Sequence, residues 1–197
     1  LDGKHVSWLP SYGPEMRGGT ANCTVVLSDE PIGAPIVARP LSLIAMNGPS
    51  LAKFQPLLRE DGIQVVNTSL IETADVDPDR RSVLIPVNRI ADEQIGNGRL
   101  ANMAALGAWV RATDCVALKA VRDALTATLS KRYHHLIPQN AAALEAGEIK
   151  QKIGQFKEKL TDWDGQMSAA GISPGGCADL LAMALLMAFC ERDAAEG

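Results

Sequence analysis

Three short apolar runs, Leu41–Met46, Ile63–Asn67 and Ser82–Pro86, recur along this chain, and helix-patterned sequence lies between or after them. Each run is a strand candidate. Strands that alternate with helices imply a layered α/β architecture, without establishing strand order. The helical segments fall at Ser50–Glu60, where Leu51, Phe54, Leu57 and Leu58 share a face and Pro56 strains the later turns, at Ala91–Ile95, and at Leu100–Arg111, which is built from small residues. Asp114 is placed to cap a following helix in which Val121, Leu125 and Leu129 recur every four residues. Ala141–Glu148 forms one more short helix. Upstream of these units, His5–Leu9 and Ala21–Leu27 read as strands flanking a Gly/Pro-rich loop.

Composition narrows the function classes. The chain has 197 residues, is 47% hydrophobic and 21% charged, and carries a formal charge of −4, so it can build a sizeable core and has no general attraction for nucleic acid or an anionic bilayer. Its longest strongly apolar run, Leu180–Cys190, is shorter than the roughly 20 residues a membrane-crossing helix needs. No secretory signal pattern is present, and Cys23, Cys115, Cys177 and Cys190 show neither disulfide density nor CxxC spacing, which together point to a reducing cytoplasm. His134-His135 do not converge with a carboxylate or cysteine cluster, so no metal site and no catalytic residue is assigned. Trp8, Trp109 and Trp163 read as core or interface anchors.

The segment with most chemical content is Pro10-Ser-Tyr-Gly-Pro-Glu-Met-Arg-Gly-Gly-Thr. Gly13, Gly18 and Gly19 permit tight turns, Arg17 offers a multi-donor cationic head, and Tyr12 and Thr20 are placed to orient a phosphate or carboxylate. A second reading stays open beside this one, in which the loop is a subunit contact or a self-contained turn with Glu15 paired to Arg17 or another base.

This loop, with Asn67-Thr-Ser and Asn102-Met-Ala-Ala-Leu-Gly-Ala following in the same order, resembles the gamma component of the 2-oxoacid:ferredoxin oxidoreductases over residues 1–147. The resemblance implies a Rossmann-like, open, mostly parallel sheet with flanking helices. It also implies alpha and beta components, and a ferredoxin-like delta component in some members. In that family the partner complex uses thiamine diphosphate, coenzyme A and iron–sulfur clusters to decarboxylate a 2-oxoacid oxidatively, and electrons leave to ferredoxin. By the same resemblance Tyr12, Gly13, Glu15, Arg17, Gly18, Gly19 and Thr20 form a cofactor-binding or interface loop, with Asn67 and Asn102 organising a polar pocket or component contact. The family's opening strand and GxGGQG turn precede the segment seen here, so the expectation is a gamma-like module without its first strand.

From residue 148 onward the chain reads as a helical extension: Lys150–Trp163 is amphipathic, and Ala178–Cys190 is an apolar helix that demands a partner surface. Ser173-Pro-Gly-Gly-Cys-Ala-Asp, with Gly175, Gly176 and Asp179, resembles the C-terminus of triphosphoribosyl-dephospho-coenzyme A synthases, and that resemblance extends over residues 149–193. Two alternatives to the oxidoreductase component follow: a partial synthase module, or a non-catalytic interaction domain.

Overall fold

The computed structural model describes residues 3–11, 21–34 and 36–148. Tyr12, Gly13, Glu15, Arg17, Gly18, Gly19 and Thr20 therefore lie outside the described residues, as do Trp163 and the tail turn Ser173, Gly175, Gly176 and Asp179. The described residues all fall in one compact unit, Leu1–Gln151.

The three apolar runs become β3 (Ser42–Ala45), β4 (Ile63–Asn67) and β5 (Arg81–Ile85). They form a parallel sheet in the order β3-β4-β5, with Ile44 opposite Val65 and Val65 opposite Val83. Successive residues on a strand point to opposite faces, and the packing follows that rule. On one face Ile44, Val65, Val83 and Ile85 meet α2 (Val87–Glu93) and α3 (Ala101–Thr113) through Val87, Ile90, Ala101, Ala104 and Ala108. On the other, Leu43, Ala45 and Val66 meet Leu51 of α1 (Gly48–Phe54) and Ile71. Both faces are covered, which is why β4 carries buried residues on consecutive positions. This is the open α/β arrangement with flanking helices that the sequence predicts.

Local chemistry sets the helix boundaries. Asn47 caps α1, its Oδ1 accepting from the Ser50 amide at 2.9 Å, and Pro49 sits in the first turn where its missing N–H costs nothing. The helix ends at Phe54 and tightens into a 3-10 turn, Gln55–Leu57, because Pro56 cannot continue the α ladder. Expected as one helix over 50–60, the segment is thus two. The helix expected at 91–95 lies earlier, directly after β5. The crossover from β4 to β5, residues 68–80, holds only the 3-10 turn Thr73–Asp75.

Asp114 requires a correction. It does not open the next helix: it closes α3 in the left-handed conformation (φ 49°), donating its amide to Val110 O at 2.9 Å. Ala117 precedes α4 (Leu118–Thr128), on which Leu125 is buried and Val121 half-buried. A 3-10 segment, Lys131–Leu136, leads into α5 over residues 137–148, where Pro138 falls in the first turn.

Small residues bring α3 and α5 together. A Cβ on Gly107 would stand 1.9 Å from Leu144 O, and one on Gly147 would stand 1.9 Å from Ala104 O. The backbones touch where any side chain would separate them.

Two further strands, β1 (His5–Ser11) and β2 (Asn22–Ser28), form an antiparallel ribbon that shares no ladder with the parallel sheet. Both fall where the sequence places strands. Their pairing and their separation from the main sheet emerge only in three dimensions.

Candidate functional site

In open parallel sheets, ligands gather beyond the carboxyl ends of the strands, where loops converge without side-chain-filled helices between them. Here that edge is laced by asparagines. Asn67, the last residue of β4, is 1% exposed. Its Nδ2 donates to Met46 O at 3.0 Å and to Asn88 Oδ1 at 2.7 Å, while its Oδ1 accepts from the Ser69 amide at 3.1 Å. One side chain thus ties the end of β3, the turn after β4 and the first turn of α2. Two more bonds complete the lacing: the Thr68 amide donates to Ile85 O at 3.0 Å, and the Arg89 amide donates to Ser69 Oγ at 3.3 Å. The Arg89 side chain is exposed at the same edge.

The direction of α3 follows from one contact. Trp109 Nε1, near the helix C-terminus, donates to Ser42 Oγ at the start of β3 at 2.9 Å. The helix therefore runs antiparallel to the strands, and Asn102, in its first turn, lies at the carboxyl end with Asn67. Asn102 is exposed and outside the Asn67 hydrogen-bond network. Of the two asparagines singled out in the sequence, the structure makes one a buried clamp and leaves the other open to solvent. Asn47, Ser69, Asn88 and Arg89 were not anticipated. Asn47 and Asn88 carry a readable signal, a short polar residue two and three positions, respectively, beyond a strand end.

No assembled catalytic group emerges at this edge. Among the described residues, no set of three His, Cys, Asp or Glu side chains converges for a metal ion. His134 is engaged locally, its Nε2 2.9 Å from Leu129 O. A depression of about 230 Å³ on α4 is lined by Leu118, Lys119 and Arg122. Both cations there are ion-paired, Lys119 with Asp123 and Arg122 with Glu145. The hydrogen bond from Lys119, reinforced by its charge, holds the Asp123 carboxyl below the ordinary carboxylate range.

The ribbon offers a surface of a different kind. The register puts Val6 opposite Leu27, Trp8 opposite Val25 and Pro10 opposite Cys23, so these six apolar side chains share one face. On that face Val6 is 62% exposed, Trp8 60% and Val25 52%, while Pro10 and Leu27 are half-buried. On the other face Ser7, Thr24 and Val26 are half-buried and Leu9 is exposed.

A family model for pyruvate ferredoxin/flavodoxin oxidoreductase matches residues 1–148, which include both the laced edge and the ribbon. The chain belongs to that family. Within the oxidoreductase family it matches gamma subunits. Ketoisovalerate oxidoreductase subunit VorA of Methanothermobacter marburgensis is 42% identical over 150 residues, covering 74% of this chain and 30% of that protein. The chain therefore spans less than a third of that relative. 2-Oxoglutarate synthase subunit KorC of Methanocaldococcus jannaschii is 34% identical over 131 residues, 66% of this chain and 70% of the relative. The crystal structure of the keto/oxoacid ferredoxin oxidoreductase gamma subunit from Geobacter sulfurreducens superposes with a TM-score of 0.63 at 27% identity, covering 77% of this chain and 83% of that one. A second family model, ATP:dephospho-CoA triphosphoribosyl transferase, matches residues 118–196, less than half the chain, and overlaps the oxidoreductase match across α4 and α5. Among the described residues, no helix is long and apolar enough to cross a membrane.

Proposed function

We propose that this chain is the gamma component of a multisubunit, cytoplasmic enzyme that oxidatively decarboxylates a 2-oxoacid to its acyl-coenzyme A and passes the electrons to ferredoxin. One observation carries the reading: a single stretch, residues 1–148, matches the family, and it aligns with relatives named for ketoisovalerate and 2-oxoglutarate, both 2-oxoacids.

The chemistry divides between this chain and its partners. An iron–sulfur cluster needs several cysteine thiolates on one site. The two described cysteines, Cys23 on the exposed ribbon and Cys115 after α3, supply no such set, and the described residues do not fit a cluster. On this reading the clusters and thiamine diphosphate are held in the partner complex, as the family resemblance implies. This chain's part is to present surfaces: the carboxyl edge held by Asn67, with Asn102 and Arg89 exposed nearby, and the loop Tyr12–Thr20, whose Arg17 is suited to an anionic group of coenzyme A or of a neighbouring component. The gamma module ends near residue 148, and the remainder is an appended segment.

The test is reconstitution. Alpha and beta components made with this chain should oxidise a 2-oxoacid in the presence of coenzyme A and reduce ferredoxin, and omitting the chain should abolish that activity. Failure of a folded chain to bind either component would remove the proposal. The match at residues 118–196 supports a second reading, a partial triphosphoribosyl transferase module. That reading requires the chain alone, given ATP and dephospho-coenzyme A, to yield a mass-shifted product.

A further inference from the structure

Of the seven asparagines in the chain, two are followed by glycine, Asn47-Gly48 and Asn97-Gly98. An asparagine side chain is open to attack at Cγ by the amide nitrogen of the next residue, and glycine, having no Cβ, lets that nitrogen approach most easily. The structure separates the two steps. Asn47 is exposed, and nothing lies within 4 Å of where a Cβ on Gly48 would stand, so the backbone there has room to turn. Asn97 is half-buried; its own amide donates to Ala91 O at 2.9 Å, and its Nδ2 donates to Gln139 Oε1 at 3.5 Å. The Asp92 carboxylate stands against Gly98, where a Cβ would collide with its Oδ1, and that negative charge opposes loss of a proton from the adjacent amide. Closing a ring from Cγ to the next nitrogen requires the Cα–C bond to turn until that nitrogen eclipses Cβ. Asn47, at ψ 164°, has less far to turn than Asn97, at ψ 93°.

We propose that Asn47-Gly48 is a self-modifying site, which loses its side-chain amide in the folded chain while Asn97-Gly98 is held back. The Gly48 amide gives up its proton to solvent base and its nitrogen bonds to Asn47 Cγ; the bond from Cγ to the side-chain nitrogen breaks, and ammonia leaves. Water then opens the resulting succinimide at either carbonyl, giving an aspartyl or an isoaspartyl linkage with no change of oxidation state. The attack loads negative charge onto Asn47 Oδ1, and the Ser50 amide already donates to that oxygen at 2.9 Å. A backbone donor aimed at developing charge lowers the barrier to addition. At Asn97 the corresponding bond, from the Arg99 amide, is longer, at 3.3 Å. The consequence falls at the carboxyl end of the sheet, because Asn47 follows Met46, whose carbonyl the Asn67 side chain holds at 3.0 Å. An aspartyl product keeps an oxygen for the Ser50 amide and adds a charge. An isoaspartyl product puts an extra methylene into the main chain and removes the cap. Either way the chain records its age as a new carboxylate beside the Asn67 clamp.

The test incubates the full chain at mildly alkaline pH in water carrying heavy oxygen, digests it, and follows each asparagine by peptide mass spectrometry. In the folded chain Asn47 should convert about tenfold faster than Asn97, the effect of one hydrogen bond to a developing charge. In urea, where neither site keeps its contacts, the two rates should converge. G48A, for which the structure has room, should fold normally and slow the conversion of Asn47 while leaving Asn97 unchanged. A folded chain in which Asn97 keeps pace with Asn47, or in which Asn47 stays intact while the unfolded chain converts, overturns the proposal. So does a preference that persists undiminished in urea, since sequence neighbours and not the fold would then set it. An Asn47 rate untouched by G48A would mean that water attacks the amide directly, and the ring-closing route would fall.

Discussion

Gly107 on α3 and Gly147 on α5 form a reciprocal pair: each lies against the backbone of the other's helix, one residue triplet from the carbonyl its partner approaches. A Cβ at Gly107 would meet Leu144 O, and one at Gly147 would meet Ala104 O, both at 1.9 Å. Backbone carbonyls cannot rotate aside as a flexible side chain can, so the helices themselves would have to part.

G107A and G147A should each destabilise the chain by about 1–3 kcal/mol, the usual cost of overpacking, despite alanine's better helix propensity. Urea denaturation measures this directly. The double variant should cost less than the sum, because helices parted by one methyl already accommodate the second. Strict additivity would show that the two glycines act independently.

For Asn67 the expected result is selective. N67L fills similar volume but leaves Met46 O, Asn88 Oδ1 and the Ser69 amide without their partner, at about 1–3 kcal/mol for each group left buried and unsatisfied. N67D keeps the bond from Ser69 but turns a carboxylate oxygen toward two acceptors. It should be the worse variant at neutral pH and should recover part of its loss on acidification as the carboxyl takes up a proton. A thermal melt of both variants at two pH values separates these effects.

Much of this was legible in the primary structure. Ile63–Asn67 appears as a strand at the expected bounds because five residues covered on both faces leave a dense apolar signal. Asn67 and Asn102 were picked out together, and both lie at the carboxyl end of the sheet, yet sequence spacing cannot distinguish a buried clamp from an exposed side chain. Asp114 was misread because a short polar residue between two helices satisfies the rules for ending one as well as for starting the next. The ribbon's strands were found, but alternation reveals a period of two without saying which face is covered. The Tyr12–Thr20 loop and the residue 173–179 turn lie outside the described residues.

At Asp114, replacement by glycine should stabilise the chain by about 0.5–1 kcal/mol, since a left-handed φ costs an L-residue energy that glycine avoids. A raised urea midpoint with an unchanged slope is the expected observation.

Acid should remove two surface contributions. Asp61 hydrogen-bonds Arg59 through both oxygens at 2.9 Å, and Asp123 is held by Lys119; both carboxyls are lowered from the ordinary value of 3.8, chiefly by those side-chain hydrogen bonds. A carboxyl depressed in the folded state stabilises above its unfolded value, and the effect disappears as pH falls through the folded value. D61N and D123N should therefore differ from wild type at neutral pH and converge with it below that range. Both pairs are exposed, so the differences should be small and should shrink further in salt.

R17A addresses the loop. Loss of hydrogen bonds to a charged group costs about 1.5–3 kcal/mol, equivalent to roughly 10-fold to 150-fold in binding or rate. Assembly with the alpha and beta components, or the dependence of activity on coenzyme A, should fall by that factor with the melting temperature unchanged. Equal activity for the two proteins would return the loop to a purely structural role.

The ribbon also bears on the order in which this protein is completed. Residues 5–28 precede β3, β4 and β5 in the chain, yet none of their described side chains belongs to a core cluster that this sheet builds. The sheet can close without them. The ribbon is thus held by its own ladder rather than by the sheet's core, and it is free to form after the sheet has closed.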